Sequence, residues 1–306
     1  MQILLTGVNG QVGWELQRTL MTLGKVIPTA RIAPAHGLAL DLSQPEQIRS
    51  IIRETRPNVI VNAGAYTAVD RAETEIHLAT AVNAIAPAVM AEEAKRIGAT
   101  LIHYSTDYVF NGRNSTPYTE KDQPDPLNVY GMTKLKGEQA IQEAEIPHFI
   151  FRTSWVYGLR GKNFLKTMLS LAQEKEILKV VNDQTGAPTW SRTIADVTAQ
   201  ILAQDIYTKS VWDDFMFVHS GLYHLTSTDS TTWYGFAKAI FDQAQGDRKL
   251  KKCVPILTSD YPTPATRPRF SRLNTHKLSQ TFGIALPSWK TALCAVLDPS
   301  LYLVNS

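Results

Sequence analysis

The chain has 306 residues, a formal net charge of +3 and 44% hydrophobic residues. This composition is typical of a globular protein and excludes a disordered chain, a collagen-like repeat or a coiled coil as the main architecture. Lysines and arginines form no block long enough to indicate a nucleic-acid or membrane surface. The sequence therefore predicts neither of these partners.

The cysteines and the apolar segments indicate a cellular compartment. Cys253 and Cys294 are the two cysteines, too few for a disulfide framework, and a reducing compartment is the simplest interpretation. The residues after Met1 lack the basic start and cleavage site of a signal peptide. No apolar stretch reaches the roughly 20 residues that span a bilayer. We therefore expect a cytoplasmic protein that is not bound to a membrane.

The first half of the chain alternates short apolar runs with segments of helical spacing. Strands are predicted at 3–5, 25–29, 59–61, 100–104 and 149–151, and helices at 12–20, 45–54, 79–97 and 129–143. Apolar strands without polar alternation, separated by helices, are typical of a parallel sheet covered on both faces. The sequence therefore predicts an α/β fold with a doubly wound, Rossmann-like parallel sheet.

The pattern weakens after Arg152. Residues 111–128 form a polar, proline-rich excursion that we expect near the functional site. The remaining predictions are loops at 182–192 and 261–274, helices at 194–204 and 233–244, and a strand at 223–225. The last third of the chain is expected to form a smaller, loop-rich α/β lobe wrapped on the first.

Gly7, Gly10 and Gly13 form a glycine-rich turn between the first strand and the first helix. Unpaired N–H groups at a helix N-terminus attract phosphate, and glycines let a pyrophosphate approach the backbone. The spacing differs from the common Gly-x-Gly-x-x-Gly fingerprint. The turn predicts a dinucleotide site, with an incidental tight turn as the alternative.

The segment after the second strand bears on cofactor choice. An acidic side chain there usually excludes the 2′-phosphate of NADP, but residues 26–31 contain none. Arg31 either pairs with that phosphate or is simply solvated. We expect both NADPH and NADH to be accepted.

Tyr130 and Lys134 lie one turn apart on the predicted helix 129–143. A neighbouring cation lowers the pKa of a tyrosine, which suits a proton donor to a developing alkoxide. Such a pair is common by chance, but Thr106 and Asp107 follow the preceding strand, where ligand sites of open α/β sheets gather. Together these residues predict a reductase site.

These motifs, together with 62–66 and 104–112, resemble the extended short-chain dehydrogenase/reductase superfamily. Segments 151–158, 182–189, 221–225 and 262–268 extend a closer resemblance, to the dTDP-4-dehydrorhamnose reductase family, over nearly the whole chain. The resemblance implies an oxidoreductase that uses NAD(P)H to reduce the carbon 4 ketone of dTDP-4-dehydro-6-deoxy-L-mannose. The product, dTDP-L-rhamnose, would supply rhamnose-containing cell-surface polysaccharide. The partner is then a dTDP-linked 4-ketosugar.

The resemblance also implies roles for individual residues. The catalytic residues would be Thr106, Tyr130 and Lys134, and the substrate contacts would be Thr106, Asp107 and Trp155. With the glycines and Arg31, the cofactor set is Gly7, Gly10, Gln11, Val12, Gly13, Arg31, Asp41, Leu42, Ala63, Gly64, Ala65, Asn83, Tyr104, Tyr130 and Lys134. We expect the Trp155 indole to lie against the sugar, with a core tryptophan between the lobes as the alternative.

The motifs and the resemblance predict two lobes. Residues 1–153, completed by part of 193–222, would form the dinucleotide-binding domain. Residues 154–192 and 223–306 would mainly form the substrate-binding lobe.

Some features depart from the family pattern. Family members are described as binding magnesium between subunits through glutamates. Glu15 is present, but Trp190, Ser191 and Arg192 follow Thr189. We therefore expect no metal, and we leave monomer and homodimer open. The seven histidines form no close ligand pattern, so His103 and His224 are expected to be structural.

Two alternative functions stay open. A sugar-nucleotide epimerase or dehydratase of the same superfamily is one, although such dehydratases place Glu where Tyr108 follows Asp107. A nucleotide-binding regulatory subunit, resembling that of methionine adenosyltransferase, is the other.

Overall fold

The computed structural model describes residues 1–208, 215–244 and 246–298. Residues 209–214 of the predicted range 193–222, and residues 245 and 299–306 of the predicted range 223–306, lie outside the described residues. The elements up to residue 153 are β1 (Gln2–Thr6), α1 (Gln11–Thr19), β2 (Lys25–Ala30), β3 (Leu38–Ala39), α2 (Pro45–Thr55), β4 (Val59–Asn62), α3 (Val69–Ala72), α4 (Ile76–Thr80), α5 (Ala86–Ile97), β5 (Thr100–Thr106), α6 (Val129–Glu143) and β6 (His148–Thr153).

The rest of the described chain contains shorter strands. Its elements are β7 (Val156–Tyr157), α7 (Phe164–Glu174), β8 (Ile177–Val181), β9 (Thr185–Gly186), β10 (Thr189–Trp190), α8 (Ser191–Thr208), α9 (Phe215–Val218), β11 (Gly221–His224), β12 (Thr231–Thr232), α10 (Trp233–Gln243), β13 (Lys252–Ile256), α11 (His276–Phe282) and α12 (Trp289–Leu297). Among the described residues, none of the helices has the length and apolar character needed to cross a membrane.

Seven parallel strands form the main sheet, in the order β11-β6-β5-β4-β1-β2-β3. Side chains alternate between its two faces, as they must along a strand. Ile3 and Leu5 pack in a core with α1, α8 and α11, whereas Leu4 packs with α2, α5 and α6 on the opposite face. The predicted doubly wound α/β fold is therefore confirmed.

The second lobe surrounds its own apolar cluster. α7, α10 and α12 contribute Leu165, Phe236 and Leu293 to a core that also contains Leu178 of β8. Three two-stranded sheets, β10-β7, β12-β9 and β13-β8, accompany these helices. The two-residue strands β7, β9, β10 and β12 are too short to carry a periodic pattern, whereas β8 and β13, of five residues each, were not predicted from the sequence.

Two elements differ from their predicted form. The predicted helix 79–97 begins earlier, in α4, and contains a π-helical turn at Ala81–Ile85 before α5. The predicted strand 223–225 is β11, which pairs with β6 at the edge of the main sheet. This strand crosses the boundary drawn at residue 222. The division into two functional lobes stays a prediction.

Candidate active site

The glycine turn lies against the end of the neighbouring strand β4. Gly7 has a φ of +69°, and a Cβ placed on it would lie 2.6 Å from the Gly64 nitrogen. A Cβ on Gly13 would lie 2.2 Å from the Gly7 oxygen. Glycine at these positions therefore lets the turn pack directly on the end of β4. Because α1 begins at Gln11, immediately after the turn, a helix N-terminus lies there, as a pyrophosphate site requires.

Gln11 joins this turn to the second lobe. Its Nε2 donates to the Val156 oxygen at 3.2 Å, and its Oε1 accepts from Asn163 Nδ2 at 3.0 Å. Asn163 also caps α7. The Gln11 side chain therefore has protein partners at both polar atoms. The groups of Gln11 and Val12 that remain for a ligand are their backbone N–H groups at the start of α1.

Leu42 and Asp41 follow β3, close to the same edge. A Cβ on Gly64 would lie 2.5 Å from Leu42 Cδ1, so Leu42 packs directly on Gly64. Asp41 accepts hydrogen bonds from the Ser43 backbone at 2.9 Å and hydroxyl at 2.8 Å, and these bonds lower its pKa. Arg31 is exposed and near enough to lower that pKa further.

Asn83 fixes the segment after Ala63, Gly64 and Ala65. Its Oδ1 accepts from the Tyr66 nitrogen at 2.9 Å, and its Nδ2 donates to the Tyr66 oxygen at 3.0 Å. Nδ2 also contacts Thr133 Oγ1 at 3.2 Å, on α6. The π-helical turn thus ties the end of β4 to the helix that carries Tyr130 and Lys134.

Thr106 and Asp107 lie at the carboxyl end of β5. Thr106 Oγ1 accepts from the Tyr108 nitrogen at 3.2 Å and donates to Asp107 Oδ1 at 3.1 Å. Burial raises the pKa of Asp107 to about 7, while hydrogen bonds with Ser271 and Thr106 act in the opposite direction. The buried Asp107 Oδ2 has no hydrogen-bond partner within the described part of the chain, so it is available to a ligand.

Tyr130 lies beside Thr106. Burial raises the pKa of its phenol to about 12, and a hydrogen bond with Thr106 acts against this rise. The expectation of a lowered pKa is therefore wrong for this structure, because desolvation outweighs any influence of Lys134. The ring contacts Tyr108 edge-on, with centroids 5.9 Å apart.

Lys134 is buried, with 1% of its surface exposed. Nζ donates to the Tyr104 oxygen at 2.6 Å and lies 3.1 Å from His103 Nε2. Burial lowers the pKa of the ammonium to about 8, whereas Glu138 raises it. An ammonium has three donors, so one remains for a ligand.

Tyr104 contributes its backbone rather than its ring. Its hydroxyl lies 2.8 Å from Thr198 Oγ1 of α8, and its ring contacts Phe151. Only the carbonyl reaches Lys134. Because consecutive side chains of β5 lie on opposite faces of the sheet, the His103 side chain lies on the face covered by α6 and the Tyr104 side chain on the face covered by α8.

Trp155 has a φ of +46°, in the left-handed region. Its indole stacks on Trp233 with centroids 3.5 Å apart and an interplanar angle of 5°. A Cβ on Gly186 would lie 2.5 Å from Trp155 Cε2. Trp233 thus covers one indole face and Gly186 lies close to the same ring, which leaves less of the indole for a sugar than expected from the sequence.

The sequence missed the contacts by which the loop at 263–268 fixes α6. Arg267 pairs with Asp70 at 2.8 Å, and the Thr266 oxygen accepts from Asn128 Nδ2 at 2.8 Å. Asn128 Oδ1 in turn caps α6 by accepting from Gly131 at 2.8 Å. The proline-rich composition of this loop is visible in the sequence, but its docking site is not.

Glu15 is the glutamate considered above in connection with the magnesium site of family members. It lies 3.7 Å from Arg192. Burial raises the pKa of the Glu15 carboxyl, and Arg192 lowers it. Arg192 also pairs with Asp196 at 2.8 Å. The expectation that no metal binds stays a prediction.

Comparisons with known proteins identify the family. The family model described as RmlD substrate binding domain matches residues 1–301. The dTDP-4-dehydrorhamnose reductase of Burkholderia thailandensis is 47% identical over 298 residues, which cover 96% of this chain and 97% of that protein. The chain belongs to the dTDP-4-dehydrorhamnose reductase family. The Escherichia coli K12 enzyme of that name is 46% identical, with 97% of each chain covered.

Solved structures of this family have the same fold. The dTDP-4-dehydrorhamnose reductase of Bacillus anthracis, in complex with NADP, is 34% identical with a TM-score of 0.83, covering 96% of this chain and 98% of that one. The UDP-glucose 4-epimerase of Thermus thermophilus, in complex with NAD, is 16% identical with a TM-score of 0.77, covering 99% and 100%, and shows the fold alone. The family resemblance stated from the sequence is thus confirmed.

Proposed function

We propose that the protein reduces the carbon 4 ketone of dTDP-4-dehydro-6-deoxy-L-mannose to dTDP-L-rhamnose with NADPH or NADH. The observation that carries this proposal is the cluster of Thr106, Tyr130 and Lys134 at the end of β5, in a chain 46–47% identical to reductases of that name. A cytoplasmic location, a monomer or homodimer, and a supply of rhamnose to polysaccharide belong to the same proposal.

The residues around the glycine turn fit a dinucleotide. Gly7, Gly13 and Gly64 leave no room for a Cβ because the turn packs closely on neighbouring backbone and on Leu42. The N-terminus of α1 follows this turn and would hold a pyrophosphate through its backbone N–H groups. Asp41 and Leu42 would face the adenosine, and Arg31 a 2′-phosphate. The relative from Bacillus anthracis was solved with NADP, which supports NADPH here. When bound, the nicotinamide supplies the hydride.

Tyr130 is the proposed proton donor. With a pKa of about 12, the phenol stays protonated at neutral pH and can give its proton to the ketone oxygen as that oxygen becomes an alkoxide. The Thr106 hydroxyl would orient the ketone by a hydrogen bond. Lys134 would stabilise the phenolate that remains and would use its third donor on the nicotinamide ribose.

Asp107 and Trp155 are the proposed sugar contacts. Asp107 Oδ2 is buried and lacks a partner within the described chain, which supports its acceptance of a hydrogen bond from a sugar hydroxyl. Trp155 keeps one indole face on Trp233, so its contact with the sugar would use the remaining face or the ring edge.

The residue at position 108 distinguishes the proposed reductase from a dehydratase. Where dehydratases of the superfamily carry Glu, Tyr108 packs edge-on against Tyr130, and burial raises its pKa. No carboxylate is therefore present at that position to remove a carbon-bound proton. This observation favours net reduction over dehydration.

The test follows NADPH absorbance of the isolated chain with a panel of nucleotide-linked 4-ketosugars. We expect one NADPH oxidised per dTDP-linked 4-ketosugar reduced. Tyr130→Phe keeps the ring and removes the proton, so turnover should fall by about 10²–10⁴-fold with cofactor affinity little changed. Sugar conversion without net NADPH oxidation would indicate an epimerase or dehydratase. Cofactor binding without any turnover would indicate a regulatory subunit.

A further inference from the structure

Four buried polar side chains form a continuous row from the glycine turn to Lys134. Thr6 Oγ1 lies 2.7 Å from Asn62 Oδ1, Asn62 Nδ2 lies 3.0 Å from His103 Nδ1, and His103 Nε2 lies 3.1 Å from Lys134 Nζ. Each of the four residues is 1% exposed. The parallel register, which pairs Thr6 with Asn62 and Asn62 with His103, creates the row across β1, β4 and β5.

The protons in this row are not independent. Burial and the nearby Lys134 lower the pKa of His103 well below its usual value, so the ring is neutral and carries one N–H. An ammonium at Lys134 needs Nε2 as an acceptor, which places the ring proton on Nδ1. Nδ1 must then donate to Asn62, whose amide oxygen has to face the ring while its nitrogen donates to Thr6.

The amide orientation in the structure corresponds to the other proton arrangement. There Asn62 Nδ2 donates to His103 Nδ1, and Thr6, which accepts from the Gly64 nitrogen at 3.1 Å, donates to Asn62 Oδ1. His103 then carries its proton on Nε2 and can donate only to an uncharged Lys134 amine. The row therefore has two self-consistent states, which differ in the proton on Lys134.

We propose that His103 is a positioning residue that holds Lys134 as an ammonium by accepting its hydrogen bond at Nε2, in the first of these two states, with the Asn62 amide oxygen turned toward Nδ1. The functional meaning rests on the proposed role of Lys134 in reduction. From the sequence, His103 is expected to be structural; in this proposal the buried histidine also sets the hydrogen bonding of Lys134.

The other groups around Lys134 do not replace this acceptor. Glu138, one turn further along α6, raises the pKa of Lys134, but Arg152 of β6 holds its carboxylate at 2.6 Å. Tyr130, one turn earlier, is a protonated phenol. The Tyr104 carbonyl takes one donor of the ammonium. Removing the His103 acceptor should therefore make Lys134 easier to deprotonate.

The direct test is the tautomer of His103 in the intact protein without cofactor. Nitrogen NMR of ¹⁵N-histidine-labelled protein, with His103→Gln to assign the signals, reports which ring nitrogen carries the proton. We expect Nδ1 to carry it at pH 6–7, where Lys134 is charged, and Nε2 to carry it once Lys134 has lost its proton. A proton on Nε2 at pH 6–7 would overturn the proposal. This readout does not depend on turnover, so it is separate from the proposed function.

A kinetic test uses two variants of different chemistry. His103→Leu fills the space without an acceptor, and we expect the basic limb of the pH–rate profile to move down by about one pH unit, with about fivefold lower turnover at pH 8. His103→Gln offers an oxygen near the Nε2 position and should stay within about threefold of the wild type. Equal losses in both variants without a shift of the limb would reduce His103 to a packing role. Thermal unfolding of both variants separates instability from this effect.

Discussion

Lys134 and Glu138 lie one turn apart on α6, and both are buried. They differ in their partners: Glu138 is paired with a residue of opposite charge, and Lys134 is not. Arg152 pairs with Glu138 through hydrogen bonds of 3.0, 3.2 and 2.6 Å. Lys134 has only uncharged hydrogen-bond partners within the described chain, the Tyr104 carbonyl and His103. A fully paired buried charge serves mainly the fold, whereas a buried charge that gains or loses its proton near neutral pH suits catalysis.

The largest effect should come from breaking the pair. Glu138→Gln leaves the Arg152 guanidinium buried without its counter-charge, which typically costs about 3–5 kcal/mol. Chemical unfolding monitored by circular dichroism would measure the loss. The double variant Glu138→Leu with Arg152→Met removes both charges and should recover much of the stability. An unchanged unfolding free energy in Glu138→Gln would contradict the structural role of the pair.

Lys134→Met should affect chemistry rather than folding. We expect turnover at pH 7 to fall by about 10²-fold, with weaker NADPH binding, since both the phenolate's cation and a ribose donor are lost. In the wild type, activity should fall as the pH rises through about 8, because Lys134 loses its proton there. The variant should lack this limb. Unchanged NADPH titration together with an unchanged pH profile would remove Lys134 from the site.

Glu93 of α5 is a second buried carboxylate paired with an arginine, in this case Arg53 of the neighbouring helix α2. Its buried carboxylate accepts from Arg53 at 2.8 and 2.6 Å, which lowers its pKa to about 2. This contribution to stability is present above the unfolded-state value of 4.5 and is lost as the pH falls toward 2.

We expect Glu93→Gln to lose about 2 kcal/mol at pH 7, less than the pKa shift alone suggests, because Arg53 is 47% exposed and screened by solvent. Unfolding free energies of both proteins should converge as the pH falls from about 5 to 2. A constant difference over that range would show that the carboxylate's charge is not the cause.

The smallest effect is expected at the exposed cation Arg31. Arg31→Ala should lower kcat/KM for NADPH by about fivefold and leave NADH unaffected, since only NADPH carries the 2′-phosphate and salt screens an exposed contact. Lys25→Ala, at the opposite end of β2, is a matched control. Equal effects on both cofactors, or none, would mean that Arg31 is merely solvated.

Local sequence patterns predicted the elements that depend on local interactions. The glycine turn, the buried strand Val59–Asn62 and helix α6 with Tyr130 and Lys134 all lie where the spacing indicates. The row from Thr6 to Lys134 was not predicted, because it depends on the strand order β5-β4-β1. No spacing along the chain encodes that order.

The second lobe was harder to predict for a different physical reason. Its two-residue strands, such as β9 and β10, are held by contacts with distant segments rather than by their own propensity. The stack of Trp155 on Trp233 joins residues far apart in the chain. The residue roles assigned through the family resemblance stay predictions that the variants above address.

The close approach of Gly186 to the Trp155 indole constrains how this sequence can change. Since a Cβ at Gly186 would lie 2.5 Å from Trp155 Cε2, any larger residue there would force the indole or the β9 backbone to move. Residues 155 and 186 therefore cannot vary independently. A variant library aimed at the proposed sugar contact of Trp155 should change both positions together, because a substitution at Gly186 alone would also move the indole or its surroundings.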